Sequence, residues 1–120
     1  MGNRLIKVDH IVKGFDFIEM MYSKNPQYID KHYTKLLFRK NNKNVGFLIY
    51  SYSNSKNIHI QALEIKKEFR GQGYGKWFLN KFFDKHKGVM VRLNSVPESE
   101  GFYFNMGFKK SIFGKFYKEL

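Results

Sequence analysis

The apolar positions change their period along the chain, and the changes mark the elements. Residues 5–8 alternate apolar and basic side chains, which predicts a strand. Residues 14–33 carry Phe15, Phe17, Ile18, Met20, Met21, Tyr22, Tyr28, Ile29 and Tyr33. That stretch predicts one or two short helices, broken at Asn25-Pro26. Residues 36–39 and 45–51 read as strands joined by a polar Asn-Asn-Lys-Asn turn, hence a hairpin. After a second polar turn at 53–57, residues 58–65 are apolar at nearly every position. Such a run predicts a strand buried on both faces. Residues 74–87 return to helical spacing. Phe78 and Phe82, and Leu79 and Phe83, are i,i+4 pairs on an inward face, while Lys76, Asn80, Asp84 and Lys87 face out. Gly88 ends the helix. Residues 89–94 form the next strand, Pro97-Glu98-Ser99-Glu100 suits a helix start, and residues 113–118 read as the last strand.

Composition narrows the class. At 120 residues the chain suits one domain with one core, spanning 1–120. Hydrophobic residues at 42% argue for a folded globule, whose core must draw on 13 Phe and 8 Tyr. The absence of cysteine excludes disulfides, thiolate metal sites and thiol nucleophiles. No apolar run approaches the ~20 residues of a membrane span. The first residues lack the apolar region of a secretion signal and the Ser or Thr of a myristoylation site. A cytoplasmic protein without a membrane partner is the expectation.

Chemistry concentrates where the 58–65 strand meets the 74–87 helix. The junction reads Leu63-Glu-Ile-Lys-Lys-Glu-Phe-Arg-Gly-Gln-Gly-Tyr-Gly-Lys76. Glycines at 71, 73 and 75 let a backbone approach a ligand closely, because no Cβ intervenes. The unpaired N–H groups of the following helix then point at that ligand, which suits phosphate oxygens. A Walker loop is excluded: Arg70 stands where its first Gly belongs, and Trp77 follows Lys76. A G-x-G-x-x-G fingerprint fails too, since its last position would fall on Lys76 or Phe78. The bland alternative is a Gly-rich turn joining a strand to a helix.

What remains is R-x-x-G-x-G, carried by Arg70, Gly73 and Gly75. It resembles the coenzyme A loop of the GNAT superfamily of N-acyltransferases. A second motif stands about 30 residues on, where Tyr103 is followed four residues later by Gly107-Phe108. The resemblance covers residues 45 to 120. It implies an α+β fold, with a mixed, mostly antiparallel sheet splayed in the middle and flanked by helices. It implies acetyl-CoA as co-substrate, no metal, and a primary amine as acceptor in a ternary complex. Cofactor contacts would come from Leu63, Ile65, Arg70, Gly71, Gln72, Gly73, Tyr74, Gly75, Lys76 and Asn94. The backbone N–H of Ile65 would polarise the thioester carbonyl.

Tyr103 matches the family's catalytic acid. A phenol of pKa ~10 is protonated at neutral pH and can donate to a thiolate of pKa ~8.5. Core packing is the competing role, with Phe102 and Phe104 the expected core pair beside it. The candidate base is His59, which titrates near neutrality. The segment His-Ile-Gln-Ala-Leu-Glu-Ile resembles the strand of arylalkylamine N-acetyltransferases, which have His at the positions of His59 and Gln61. Histone-type relatives have Glu at the position of His59. Strict alternation puts His59 on the face of Ile65, and Glu64, a weaker candidate for the base, on the opposite face. A hydrogen-bonded structural histidine is the competing role for His59.

Net charge is +12, and residues 66–92 hold eight Lys or Arg against Glu68 and Asp84. This balance suits a polyphosphate cofactor, nucleic acid or an acidic partner. Two further classes therefore stand beside the enzyme: a basic nucleic-acid-binding module, and a catalytically silent acyl-CoA-binding domain. No RNP, KH or zinc pattern supports the first. The aromatic, Met-rich early segment suits an apolar amine acceptor, whereas a short turn at 111–114 suits a peptide.

Overall fold

The computed structural model describes residues 2–120. Its strands are β1 (Asn3–Val8), β2 (Thr34–Lys40), β3 (Lys43–Asn54), β4 (Asn57–Ile65), β5 (Met90–Leu93), β6 (Lys109–Lys110) and β7 (Phe116–Glu119). Its helices are α1 (Asp16–Tyr22), α2 (Pro26–His32), α3 (Tyr74–Asp84) and α4 (Glu100–Asn105). The strands form one sheet in the order β1-β2-β3-β4-β5-β7-β6. Every neighbouring pair is antiparallel except β4–β5. Parallel neighbours need a crossover connection, and α3 supplies it.

The sheet separates two apolar layers. On one face α3 and α4 bury Phe78, Leu79, Phe82, Phe83 and Tyr103 against Phe38, Leu48, Tyr50, Ile60 and Val91. On the other face Phe15, Ile18 and Ile29 pack on Leu37, Phe47, Ile49 and Ala62. The break at Asn25-Pro26 separates α1 from α2, and the Asn25 side chain caps α2 by accepting from the Tyr28 N–H at 3.4 Å. Lys35 is buried beneath α2. Its ammonium donates to the carbonyls of Ile29, Asp30 and Tyr33 at 3.2, 2.9 and 2.8 Å, which satisfies the end of that helix. Asn41 and Asn42 adopt positive φ of 51° and 66°, as a two-residue hairpin turn requires.

Four expectations need correction. The third helix stops at Asp84, short of residue 87. Lys85 and His86 turn their N–H groups back to Phe82 and Phe83 at 3.2 and 3.0 Å, tightening the last turn ahead of Gly88 at φ 80°. The last strand begins at Phe116. Ile112 and Phe113 are 94% and 87% exposed in the β6–β7 turn, where Ser111 N–H bonds Lys115 O at 2.8 Å. Strand β4 is not buried on both faces: every second residue is half-buried, because a cleft opens beside it. Finally, Phe102 and Phe104 are not the core pair of α4. Tyr103 is the buried residue, while Phe104 is 48% exposed.

Candidate active site

A bulge in β4 decides which residues meet. Ile49 pairs with Ala62 and Tyr50 with Ile60, so Gln61 is an extra residue opposite no partner. Cross-strand partners share a face, and an inserted residue reverses the alternation. His59 lies opposite Ser51 and Ile65 opposite Gly46. Ser51 and Gly46 are an odd number of residues apart on a regular stretch of β3, so they occupy opposite faces. His59 therefore does not share the face of Ile65, as strict alternation predicts. Glu64, opposite Phe47, joins His59 instead. Leu63 and Ile65 face α3, while His59, Ala62 and Glu64 face α1.

The cleft opens where β4 and β5 part. Their pairing ends at Ile60 and Leu93, yet β4 runs on to Ile65. The resulting cavity is about 820 Å³. His59, Leu63, Ile65, Arg70, Gly75, Asn94 and Tyr103 line it. Gly71, Gln72, Gly73, Tyr74 and Lys76 do not. Gly71 and Gly73 form the loop between Arg70 and Gly75, with φ of 77° and 84°. Gln72 reaches back to the Glu68 carbonyl at 3.2 Å. Tyr74 turns away to pack edge-on against Phe38 and to accept from Lys40 at 2.7 Å. Lys76 is exposed on α3.

The loop fits an anion. The start of α3 has no side-chain cap and no acid in its first turn, so its N–H groups are free for an outside acceptor. A Cβ on Gly75 would sit 3.3 Å from the Phe102 ring, so glycine keeps this wall flat. Arg70 is half-exposed and oriented from below. Its Nε donates to the Ile65 carbonyl at 2.8 Å, and its Nη2 stands 3.7 Å from Glu64.

Tyr103 reaches the cleft from α4, packed edge-on by Phe102 and Phe108. Its hydroxyl has no hydrogen-bond partner among the described residues. Burial pushes its pKa up to about 12, so the phenol keeps its proton at neutral pH. Burial pushes Tyr50 to about 12 as well, but Tyr50 sits under α3 and does not line the cleft. Position, not the shift, distinguishes Tyr103. His59 is half-buried, and its Nδ1 lies 3.0 Å from the Gln61 amide nitrogen. Burial, and then the charge of Lys115 on the β6–β7 turn, pull its pKa below 6.5. The imidazole is therefore neutral at pH 7. With the Gln61 amide donating, Nδ1 accepts and the ring proton sits on Nε2.

Comparison with known proteins adds the family. The acetyltransferase (GNAT) domain profile matches residues 8–119. The chain belongs to the GNAT acetyltransferase family. No curated protein matches it. Among solved structures it is similar to YhhK of E. coli bound to coenzyme A, with a TM-score of 0.75, 16% identity and all of both chains covered. A GNAT acetyltransferase of Elizabethkingia anophelis with acetyl-CoA bound gives 0.68 at 13% identity, covering 99% of each chain. KacTA, solved as a complex with DNA, gives 0.70 at 14% identity, covering 96% of this chain and 92% of that one. At these identities the likeness shows the fold, including the mixed sheet parted in its middle. No helix among the described residues is long and apolar enough to cross a membrane.

Several residues of this GNAT cleft escape motif reading. Phe17, Met21 and Tyr22 of α1 form its far wall, and Ser95, Val96, Ser99 and Phe102 line the approach to Tyr103. The apolar spacing around α1 marks a helix but says nothing of which face meets a ligand. Glu64, a weaker candidate for the base in the sequence, has a different role in the structure. It is 6% exposed and accepts from the N–H groups of Phe17 and Ile18 at 3.2 and 2.9 Å. A strand carboxylate thus satisfies the start of α1, which explains a buried acid inside an apolar strand. Glu100 acts elsewhere, pairing with Lys110 at 3.1 Å and tying α4 to β6.

Proposed function

We propose that this domain, residues 1–120, transfers an acetyl group from acetyl-CoA to a primary amine by direct attack within a ternary complex. One observation carries the reading: Tyr103 and His59, the candidate proton donor and acceptor, line one cleft from opposite sides of the sheet. Tyr103 stands on the α3–α4 side with the glycine loop, and His59 on the α1 side with Phe17, Met21 and Tyr22.

Acetyl-CoA supplies the activated acyl group as a thioester. The free N–H groups from Gly73 onward and the Arg70 guanidinium would hold its phosphates. Leu63, Ile65 and Asn94 would line the path of its arm. A neutral His59 is ready to receive the proton the amine loses as its N–C bond forms, directly or through water. A protonated Tyr103 is ready to give one to the departing sulfur as the C–S bond breaks. Tyr103 disfavours a silent binding domain, which has no use for a buried, unpartnered phenol in its cleft. The apolar α1 wall suits an acceptor whose amine is carried on an aryl or alkyl group. The location that fits this chemistry is the cytoplasm.

The test is acetyl-CoA turnover against a panel of amines, peptides and aminoacyl acceptors, read as released thiol. The protein has no cysteine of its own to obscure that signal. Acceptor-dependent release supports the reading. Acetyl-CoA binding without release for any acceptor leaves a binding domain, and no binding overturns the assignment. The charge of +12 supports a second reading, in which a polyanion is the partner. Salt-sensitive gel retardation of an oligonucleotide, unaffected by acetyl-CoA, favours it.

A further inference from the structure

A second cavity, of about 640 Å³, lies at the far end of the sheet and is lined by Gly2, Asn3, Arg4, Arg39, Asn41 and Asn42. None of these residues lines the acetyl-transfer cleft. In the β1–β2 register Arg4 is directly opposite Arg39, so two guanidinium groups occupy neighbouring positions on one face. Like charges in that arrangement repel. No carboxylate among the described residues pairs with either. Arg39 is fixed in place by Nη2, which donates to the Asn42 carbonyl at 2.6 Å. Its Nε is buried and has no partner, and Asn44 Oδ1, opposite it on β3, is buried and unpartnered too.

The fold thus builds a repulsive cation pair beside a cavity, and an oxyanion between the two side chains would relieve the repulsion. We propose that Arg4 and Arg39 form an anion site that takes a phosphate group, separate from the glycine loop. A phosphate presents several acceptors at once, which matches the forked donors of two guanidinium groups better than a single carboxylate does. The ligand is a small phosphate compound or the backbone of a nucleic acid, and both offer the same chemistry to these two residues. The proposal is independent of acetyl transfer.

Side-chain Nε–Hε signals in a nitrogen–proton correlation spectrum test it site by site, since the chain has only four arginines, Arg4, Arg39, Arg70 and Arg92. Inorganic phosphate titrated into phosphate-free protein should move the Arg4 and Arg39 signals saturably, and leave Arg92 in place. Arg4→Gln should weaken the response at Arg39 by about tenfold or more, the scale of a lost charge-assisted hydrogen bond. Arg4→Gln should also melt no lower than the parent in phosphate-free, low-salt buffer, because it removes a repulsion. A short oligonucleotide moving the same two signals at far lower phosphate concentration assigns the site to a nucleic-acid backbone; an equal or weaker response assigns it to small phosphates. Movement of Arg70 alone overturns the proposal, as does an Arg39 response unchanged in Arg4→Gln.

Discussion

The two walls of the cleft are built by different means. The α3–α4 wall uses main chain: an unpaired stretch of β4, a glycine loop and an uncapped helix start. Its one charged side chain, Arg70, is itself held by a backbone carbonyl. The α1 wall uses side chains. A seven-residue helix is seated by Phe15 and Ile18 in a small apolar layer, and a single carboxylate holds its first turn. A backbone-built wall would suit whatever carries the right phosphates, with Arg70 the one neighbouring charge its recognition draws on. A side-chain-built wall can be re-aimed by one substitution. The first suits a common donor and the second a particular acceptor.

Breaking the backbone wall should have the most far-reaching effect, because it removes donor binding and every later step with it. Gly73 has open space around its missing Cβ and φ of 84°. Gly73→Glu should therefore cost the fold only the ~1–2 kcal/mol of a left-handed side chain. It also places a carboxylate where phosphates belong. Acetyl-CoA affinity by calorimetry should fall about a hundredfold or more, as for two lost charge-assisted hydrogen bonds. An unchanged Kd with a native dichroism spectrum sinks the donor assignment.

Next comes the acid. Tyr103→Phe removes a hydroxyl that has no partner among the described residues, so stability and acetyl-CoA binding should hold. Turnover should drop by roughly 10²–10⁴, the usual scale for a lost general acid. Full activity in this variant moves proton donation to solvent.

The side-chain wall should break differently. Glu64→Gln keeps the shape but loses the charge that holds the N–H groups of Phe17 and Ile18. The acceptor KM should rise roughly tenfold, the scale of one weakened charged hydrogen bond, while the acetyl-CoA Kd changes little. If both constants rise together, Glu64 acts through Arg70, 3.7 Å away, and the two walls are one unit. Arg70→Ala should act on the donor alone, flattening the salt dependence of acetyl-CoA binding. An unaltered slope means the basic loop serves another partner.

The same contrast explains what the sequence could reveal. The glycine loop, the second Tyr motif and the crossover helix are legible because backbone geometry constrains residue type locally: only glycine fits φ of 77° and 84° without strain. The hairpin and the break at Asn25-Pro26 are legible for the same reason. The bulge at Gln61 is not. It arises from register against β3, and no residue type demands it, so alternation put His59 beside Ile65 and Glu64 on the wrong face. The α1 wall is hidden because its residues are ordinary core types whose exposure depends on where β5 stops pairing.

The smallest effect, and the sharpest test of the bulge, is in the pH profile. His59 lies on the α1 face only because Gln61 is extra. Burial, and after it Lys115, lower its pKa from 6.5. The imidazole becomes a base as pH rises through that lowered value, so the acidic limb of kcat/KM should lie below pH 6.5. Activity is then complete at neutrality and lost on acidification. Lys115→Ala removes one of the two causes and should move the limb up toward 6.5. That variant is slower than the parent at mildly acid pH and equal to it above neutrality. His59→Gln should abolish the limb, because the amine must then lose its proton unaided. A limb that persists unshifted in His59→Gln clears His59 of the role. A limb that vanishes there yet ignores Lys115→Ala keeps His59 as the base and assigns its lowered pKa to burial alone.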